Sequence, residues 1–352
     1  MKFCVFADYH LHQFKEFAKP KSFHVNGKQY ESTDRLEDHI NTLRSIFQIA
    51  DEQGANHILF LGDFFEERKR VPTLIMNLAL NVLREQFDKY PHMKMYMLVG
   101  NHDMADEHHQ AEHSLESFKA FPEITVLDMF EPVDVEEARL FPVPYTNDTG
   151  YAKKKIEEYS LTDTDKSRLL LGHLGVEGSY TGNRNHKLEG AFMVGNLIPD
   201  LFNFVLLGHF HVRQELQPNV IYAGNPLHTS FGDSEQDKGC YILDTEQDSL
   251  TFHAIPNKKF LTITELTKDT EELAKNNYTR FILPEDQAQL VSNYQDDNDT
   301  VRVEVEKTYK SETRIDIDVQ SDEAQVVSAY VREFYDKETE QEALDVLKEV
   351  RP

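Results

Sequence analysis

Apolar runs of strand length recur through the first 255 residues, at 2–7, 57–62, 94–99, 168–172, 203–208, 219–223 and 239–244. Between them the apolar period lengthens to that of a helix. Leu36, Ile40, Leu43 and Phe47 share one face, as do Leu74, Leu78 and Val82, with Pro72 suited to a first helical turn. Alternating strands and helices predict a layered α/β domain whose sheets are covered by helices. Later strands are joined by short turns such as AGNP, which predicts a more antiparallel sheet in the second half. Internal repeats and low-complexity segments are absent.

The pattern changes near Pro256-Asn257-Lys258-Lys259. Beyond it FLTITEL, YTRFIL and TVRVEVEK read as strands, with helical patterns at 269–275 and 285–293. Val301, Val303 and Val305 alternate with charged residues, as in a sheet with one wet face. The last thirty residues predict two helices. Ser321 is positioned to cap the first, which carries Val327, Tyr330, Val331 and Phe334. Thr339 with Glu342 has the spacing of a capping box for the second, which carries Ala343, Leu344, Leu347 and Val350. The expected organisation is a main domain over 1–256, a small α/β domain over 257–320 and a helical region over 321–352.

Composition narrows the class. With 352 residues, 28% of them charged and 39% hydrophobic, the chain is expected to be soluble and globular, with a substantial core. No apolar stretch approaches the length of a membrane span. The first ten residues, MKFCVFADYH, begin directly with a strand pattern, so no secretory signal is expected. Cys4 and Cys240 lie in apolar runs and fit buried thiols of a reducing cytoplasm. A net charge of −25 argues against passive nucleic-acid binding, because phosphate affinity comes mainly from Lys and Arg. It does not exclude a nucleic-acid enzyme, where bound cations and local basic patches set the field. Arg68, Lys69, Arg70, Arg184 and Lys187 are candidate phosphate contacts.

Seven side chains of metal-binding types close successive apolar runs: Asp8 and His10 in ADYH, Asp63 in LGDF, Asn101 in GNHD, His173 in LLGHLG, and His209 and His211 in LLGHFH. Asp8-x-His10 and His209-x-His211 each put two side chains of one extended segment on the same side. Open α/β sheets gather ligands at the C-terminal ends of their strands. One carboxylate, here Asp63, can offer an oxygen to each of two cations roughly 3.5–4 Å apart. Carboxylates, an amide oxygen and imidazoles converging from five strand ends suit two divalent ions and a hydrolase. His92, His108, His109, His113 and His253 lack this context and read as surface or supporting residues.

The order D-x-H, G-D, G-N-H-D, G-H, G-H-x-H over residues 1–255 resembles the calcineurin-like metallophosphoesterase superfamily. That resemblance implies a layered β-sandwich flanked by helices. It implies one ion on Asp8, His10, Asp63 and His211, and a second on Asp63, Asn101, His173 and His209. His102 would face the scissile phosphate as donor or acid, with Asp103 orienting the site. The segment Ile221–Asp233, IYAGNPLHTSFGD, followed by Lys238-Gly239, is similar to the Y-x-G-S-P-x-x-x-S-F-G-E…K-G signature of SbcD-type nucleases. These are related to the meiotic-recombination-eleven proteins, and the compact length resembles phage-encoded versions. The resemblance implies a Mn²⁺-dependent DNA nuclease, exonuclease on duplex and endonuclease on single strands, active in DNA end processing, recombination and repair. It implies 257–320 as a DNA-capping domain, and 321–350 docking on an SbcC-like coiled-coil ABC ATPase. It also implies a cytoplasmic protein (host cytoplasm if phage-encoded) that forms a homodimer through helices bearing Leu74, Ile75 and Leu78.

Two departures lie beside the ligands. His12 stands where the family often has glycine, and Glu66 where many members carry a histidine associated with positioning the DNA end. Both are therefore assigned to the substrate side. The rival readings are a phosphoesterase of the same superfamily acting on a small phosphoester, and a metal-free interaction subunit on the same fold.

Overall fold

The computed structural model describes residues 1–108, 111–181, 192–233, 236–284, 287–288, 300–305 and 321–350. The chain forms two compact units, Met1–Val305 and Glu306–Pro352. In the larger unit two six-stranded sheets pack face to face. The first contains β14 (Ser249–Ala254), β13 (Gly239–Asp244), β1 (Lys2–Phe6), β4 (His57–Phe60), β5 (Lys94–Leu98) and β6 (Ile124–Leu127), in that spatial order. The second contains β11 (Gln214–Gln217), β12 (Val220–Tyr222), β10 (Phe204–Gly208), β9 (Ser167–His173), β8 (Ala138–Val143) and β7 (Val133–Val135).

Apolar residues on both faces of the strands explain the layering. Phe3 and Val5 of β1 meet Leu140, Leu169, Leu171 and Leu206 of the opposite sheet. The alternate residues Cys4 and Phe6 point outward under helices α1 (Asp34–Glu52) and α2 (Thr73–Lys89). Thr33 caps α1 by accepting the Leu36 N–H, and Leu36, Ile40, Leu43 and Phe47 are fully buried. Each such burial contributes about 1.5–3 kcal/mol, well beyond helix-propensity differences of up to about 0.7 kcal/mol. Helix α3 (Thr149–Tyr159) covers the outer face of the second sheet with Ala152, Ile156 and Tyr159. A hairpin of β2 (Pro20–Val25) and β3 (Lys28–Thr33) precedes α1.

A third, three-stranded parallel sheet comprises β15 (Phe260–Ile263), β16 (Tyr278–Leu283) and β17 (Val301–Val305), with α4 (Lys268–Lys275) between its first two strands. It has its own small core of Ile263, Phe281, Leu283 and Val301. It is tied to α1 within the same compact unit: Tyr278 donates to Asp38 at 2.9 Å, and Lys258 pairs with Asp34 at 2.8 Å. The Arg35 guanidinium lies against the rings of Phe14, Phe260 and Tyr278 and donates to the carbonyls of Glu16 and Thr229.

Several expectations are corrected. The expected antiparallel character of the second half holds for β11 with β12 and for β13 with β14 and β1, but the middle of the second sheet, from β8 through β9 and β10 to β12, is parallel. Strand β11 doubles back before β12, so β12 returns parallel to β10. Pro72 occupies the N-cap of α2 rather than its first turn. Ile75 and Leu78 are 1% and 0% exposed and fill the chain's own core, whereas Leu74 is half-buried. In the second unit Asp322, not Ser321, caps α5 (Glu323–Phe334) by accepting the Gln325 N–H. Asp336 accepts from the N–H and hydroxyl of Thr339 at the start of α6 (Lys337–Val350), so Thr339 lies inside that helix. At both ends an Asp carboxylate accepts the open N–H three residues on, as strong N-cap residues do. Most of the predicted helix at 285–293, as well as Arg184, Lys187 and His109, lies outside the described residues.

Candidate active site

All seven predicted donors meet where the two sheets present the C-terminal ends of their parallel strands. Asp8 and His10 follow β1, Asp63 follows β4 and Asn101 follows β5; across the sandwich, His173 ends β9 and His209 and His211 follow β10. Residues 8–11 run alongside 62–64, with Asp8 N–H donating to Gly62 O, His10 N–H to Asp63 O and Leu11 N–H to Phe64 O. Asp8, His10, Asp63 and His209 have positive φ, an unfavourable conformation for residues with a Cβ. Such strain persists only where surrounding bonds over-determine it. The glycine of the LGDF motif is required by space. A Cβ on Gly62 (φ +99°) would collide with the His173 ring and with Gly100 Cα.

Asp63 stands at the centre. Its Oδ1 accepts the His102 N–H at 2.7 Å, and its Oδ2 lies 3.3 Å from His173 Nε2 and 3.7 Å from His10 Nε2. On one side His10 Nε2 faces His211 Nε2 at 3.0 Å. On the other, Asn101 Oδ1 lies 2.9 Å from His173 Nε2 and 3.0 Å from His209 Nδ1. Two imidazole nitrogens aimed at each other are accommodated by a shared proton or by a cation. Asp8, His10 and His211 offer atoms that can hold one ion, and Asp8, Asp63 and His173 form a second such group. The donor set, oxygen and imidazole without thiolate, fits a pair of divalent cations.

The electrostatics agree with a site built for positive charge. Burial disfavours a charged His10, but Glu66, Asp63 and Asp8 outweigh it and hold its pKa up at about 9. His173 is likewise raised to about 9, against burial, by Asp63 and Asp8. Burial, joined by the charge on His173, pushes His209 down to about 3. Asp63 lies well below the carboxylate range, because His173 and His10 overcome the cost of its burial.

Asp103 does not face the opening. Its Oδ2 accepts the N–H groups of Asp63 and Gly100 at 2.9 and 3.0 Å, and its Oδ1 those of Phe64 and Phe65 at 2.9 and 3.4 Å. It therefore clamps the Asp63 loop to the Asn101 loop. His102 is fixed differently: its Nδ1 lies 2.6 Å from Glu66 O, which makes Nδ1 the donor and leaves Nε2 as the exchangeable nitrogen.

Glu66 points its carboxylate at His10, with Oε2 2.7 Å from Nδ1 in an ion pair off the ideal hydrogen-bond axis. His10 holds Glu66 down at about 2. His12 lies outward, 3.4 Å from Glu67, in a groove of about 700 Å³ shared with Phe14, Phe17, Arg35, Phe231 and Phe260. Arg68 is paired with Glu107 at 2.9 Å, whereas Lys69 and Arg70 are exposed.

Some supporting residues escape sequence reasoning. Lys238 is buried, and its Nζ donates to His211 O at 3.0 Å, to Asn225 Oδ1 and to Asp233 Oδ1 at 3.3 Å. Asp233 also accepts from Thr229 and Ser230 and lies 3.8 Å from His211 Nδ1. Gln236 clamps both the N–H and the carbonyl of Arg213. The IYAGNPLHTSFGD…KG segment thus grips the loop that carries His211, and its spacing was the available signal. Tyr145 packs its ring 6.0 Å from His209 and 6.3 Å from His173. A separate cluster of His113, Glu116 and Asp128 has ligand-like spacing, but Lys119 already pairs with both carboxylates at 2.7 Å.

The family model for the calcineurin-like phosphoesterases matches residues 1–213. The chain belongs to that family. Among curated relatives, the SbcD component of the SbcCD nuclease of Staphylococcus epidermidis is 25% identical over 317 residues, covering 80% of this chain and 79% of the relative. Exonuclease subunit 1 of Enterobacteria phage T4 is 26% identical over 225 residues, covering 62% and 61%. The DNA double-strand break repair protein Mre11 of Sulfurisphaera tokodaii is 22% identical over 253 residues, covering 66% and 60%. As a calcineurin-like phosphoesterase the chain is a hydrolase of phosphoester bonds, and the layered β-sandwich expected from its motifs is the fold observed. Among the described residues, no helix is long and apolar enough to cross a membrane.

Proposed function

We propose that this phosphoesterase is a Mn²⁺-dependent DNA nuclease, exonucleolytic on duplex and endonucleolytic on single strands. In this reading it works with an SbcC-like coiled-coil ATPase in DNA end processing, recombination and repair. The observation that carries the reading is the convergence of seven donors around Asp63, with His102 beside them, its Nδ1 engaged by Glu66 O. The similarity to SbcD, phage exonuclease and Mre11 proteins supports DNA as the substrate.

Asp8, His10, Asp63 and His211 would hold one ion, and Asp63, Asn101, His173 and His209 the other. Bound there, two divalent cations would neutralise phosphate oxygens and lower the pKa of a water between them. The chain's own part is positional. Asp63 offers one oxygen towards both positions, Asp103 locks the two loops that present Asp63 and Asn101, and His102 carries Nε2 as the nitrogen that exchanges a proton with the leaving oxygen. The strain at Asp8, His10 and Asp63 preorganises these donors before substrate arrives.

The groove containing His12 and Phe14 would take a DNA strand by stacking bases on its rings, with Lys15 on the same lining to face the phosphate backbone. The segment 257–320 would cap that DNA. The helices α5 and α6 would dock on the ATPase through exposed Tyr330, Phe334 and Val350. Homodimerisation belongs to the same reading, through a surface other than Ile75 and Leu78.

The deciding assay is Mn²⁺-dependent cleavage of end-labelled duplex and single-stranded DNA, with and without the ATPase, using His102→Ala as control. Cleavage lost in His102→Ala is expected. Hydrolysis of small phosphodiesters alone, with DNA untouched in every condition, overturns the nuclease reading.

A further inference from the structure

We infer that a pocket beside the metal donors receives one unpaired nucleobase of the substrate strand and favours bases that carry an amino group. The inference rests on the nuclease reading above and goes beyond it, to a subsite and its preference.

Tyr145 is shared between the donors and the pocket. Its ring packs 6.0 Å from His209 and 6.3 Å from His173, and it also forms one wall of a cavity of about 350 Å³. That volume is at the small end of the roughly 300–1,000 Å³ typical of ligand pockets, which suits a single base. Met104, next to Asp103 in the chain, Met129, Phe130 and Tyr151 supply further apolar walls. Met129 stays 40% exposed, and the rings of Phe130 and Tyr151 meet edge to face with centroids 5.2 Å apart. Rings and thioethers around an open slot are what an unstacked base needs against its faces. The groove at His12 begins on the His10 side of the donors, and this pocket on the His173 and His209 side. A strand that crosses the site meets both.

The polar part of the lining consists of acceptors. Asp128 and Glu116 engage Lys119 through Oδ2 and Oε2, at 2.7 Å each, which leaves Oδ1 and Oε1 to accept from a ligand. His113 and Lys119 hold the Asp128 pKa at about 2, so it remains a carboxylate. His113 Nε2 faces Asp128 Oδ2 at 3.2 Å and is the donor there, which makes Nδ1 of the neutral ring an acceptor. That Nδ1 is buried without a hydrogen-bond partner. A buried acceptor left unpaired is costly, and a ligand that donates relieves the cost. An anion is repelled by this lining, and a metal ion meets carboxylates that Lys119 already engages. An amino group fits. Adenine, cytosine and guanine each carry one, whereas thymine presents a carbonyl and a methyl group. Unpaired bases leave the stack at least cost, so the pocket favours single-stranded or frayed DNA.

The test is the cutting pattern of the full-length protein with Mn²⁺ on end-labelled single-stranded DNA, below KM and resolved bond by bond. One nucleotide of each substrate carries a tetrahydrofuran abasic site or a changed base. An abasic site at one fixed offset from the scissile bond should slow that cut by about 5–100-fold, as loss of a base–aromatic stack does, and spare the other bonds. Thymine at that offset should be cut more slowly than adenine, cytosine or guanine. Tyr151→Ala should flatten both effects while cutting continues. Asp128→Asn, which adds an amide donor, should narrow the gap between thymine and the other bases. Being isosteric, it decides alone if Tyr151→Ala fails to fold by circular dichroism. Cutting indifferent to the abasic position, or one pattern shared by the native protein and both variants, overturns the inference and leaves the nuclease reading intact. DNA uncut in every condition overturns both.

Discussion

Replacing Asp103 by Asn tests whether one buried carboxylate holds the site's two central loops together. The change is nearly isosteric, yet it puts an NH₂ group where an oxygen now receives two backbone N–H groups. Whichever way the amide turns, one pair is lost: Asp63 and Gly100, or Phe64 and Phe65. Burial and the nearby Asp63 raise the Asp103 pKa to about 7, so above that pH the acceptor is the carboxylate. Hydrogen bonds to a charged partner contribute about 1.5–3 kcal/mol each, so two lost bonds there cost roughly 3–6 kcal/mol. That is a large part of the roughly 5–15 kcal/mol that holds a typical domain folded. Because the chain has no tryptophan, far-UV circular dichroism in urea is the suitable probe. Metal affinity should fall with stability, since Asp63 and Asn101 sit on the released loops. A loss below about 1 kcal/mol, with native metal binding, would refute the clamp.

Other predictions follow from the same geometry. Asp63→Ala should abolish metal binding and hydrolysis together; two ions still bound in that variant, measured by inductively coupled plasma analysis, would remove the bridging assignment. Burial lowers His39 to about 3 from 6.5, so its folded-state pKa lies below the unfolded one, and the associated stability, complete above pH 6.5, is lost as pH falls towards 3. At pH 4.5 that loss amounts to about 2–3 kcal/mol, at 1.36 kcal/mol per unit. His39→Gln should show a correspondingly flatter acid limb in urea titrations at pH 7 and 4.5. Deleting 321–350 should abolish co-purification with the ATPase while leaving nuclease activity on single strands; an intact complex would eliminate these helices as the docking element.

The donors were legible because each one closes a strand, and strand ends converge whatever the intervening sequence. The glycines before Asp63 and Asn101 carried further information, since side chains there would occupy the space of His173 or Asp63. The hairpin at 20–33 was readable too, but unread: Asn26-Gly27 is the turn pair that takes two positive φ angles, and both occur. Strand β8 was hidden by Pro142, which usually demotes a strand, and α3 by its short apolar face. The roles of Glu66 and Lys238 depend on which atom each meets across the fold, His10 Nδ1 in one case and the His211 carbonyl in the other. No local pattern encodes that. Glu66 could be recognised only as a departure, and its meaning came from three-dimensional proximity.

The donors come from both sheets: Asp8, His10, Asp63 and Asn101 from one, His173, His209 and His211 from the other. Any cation shared among them is therefore a rivet through the sandwich as well as a reagent. Binding confined to the folded state adds about 2.7 kcal/mol per site at a hundredfold excess over Kd. Chelation should then lower the melting temperature of the whole larger unit, with the two sheets coming apart as one. Heat tolerance and metal supply would be a single variable for this protein.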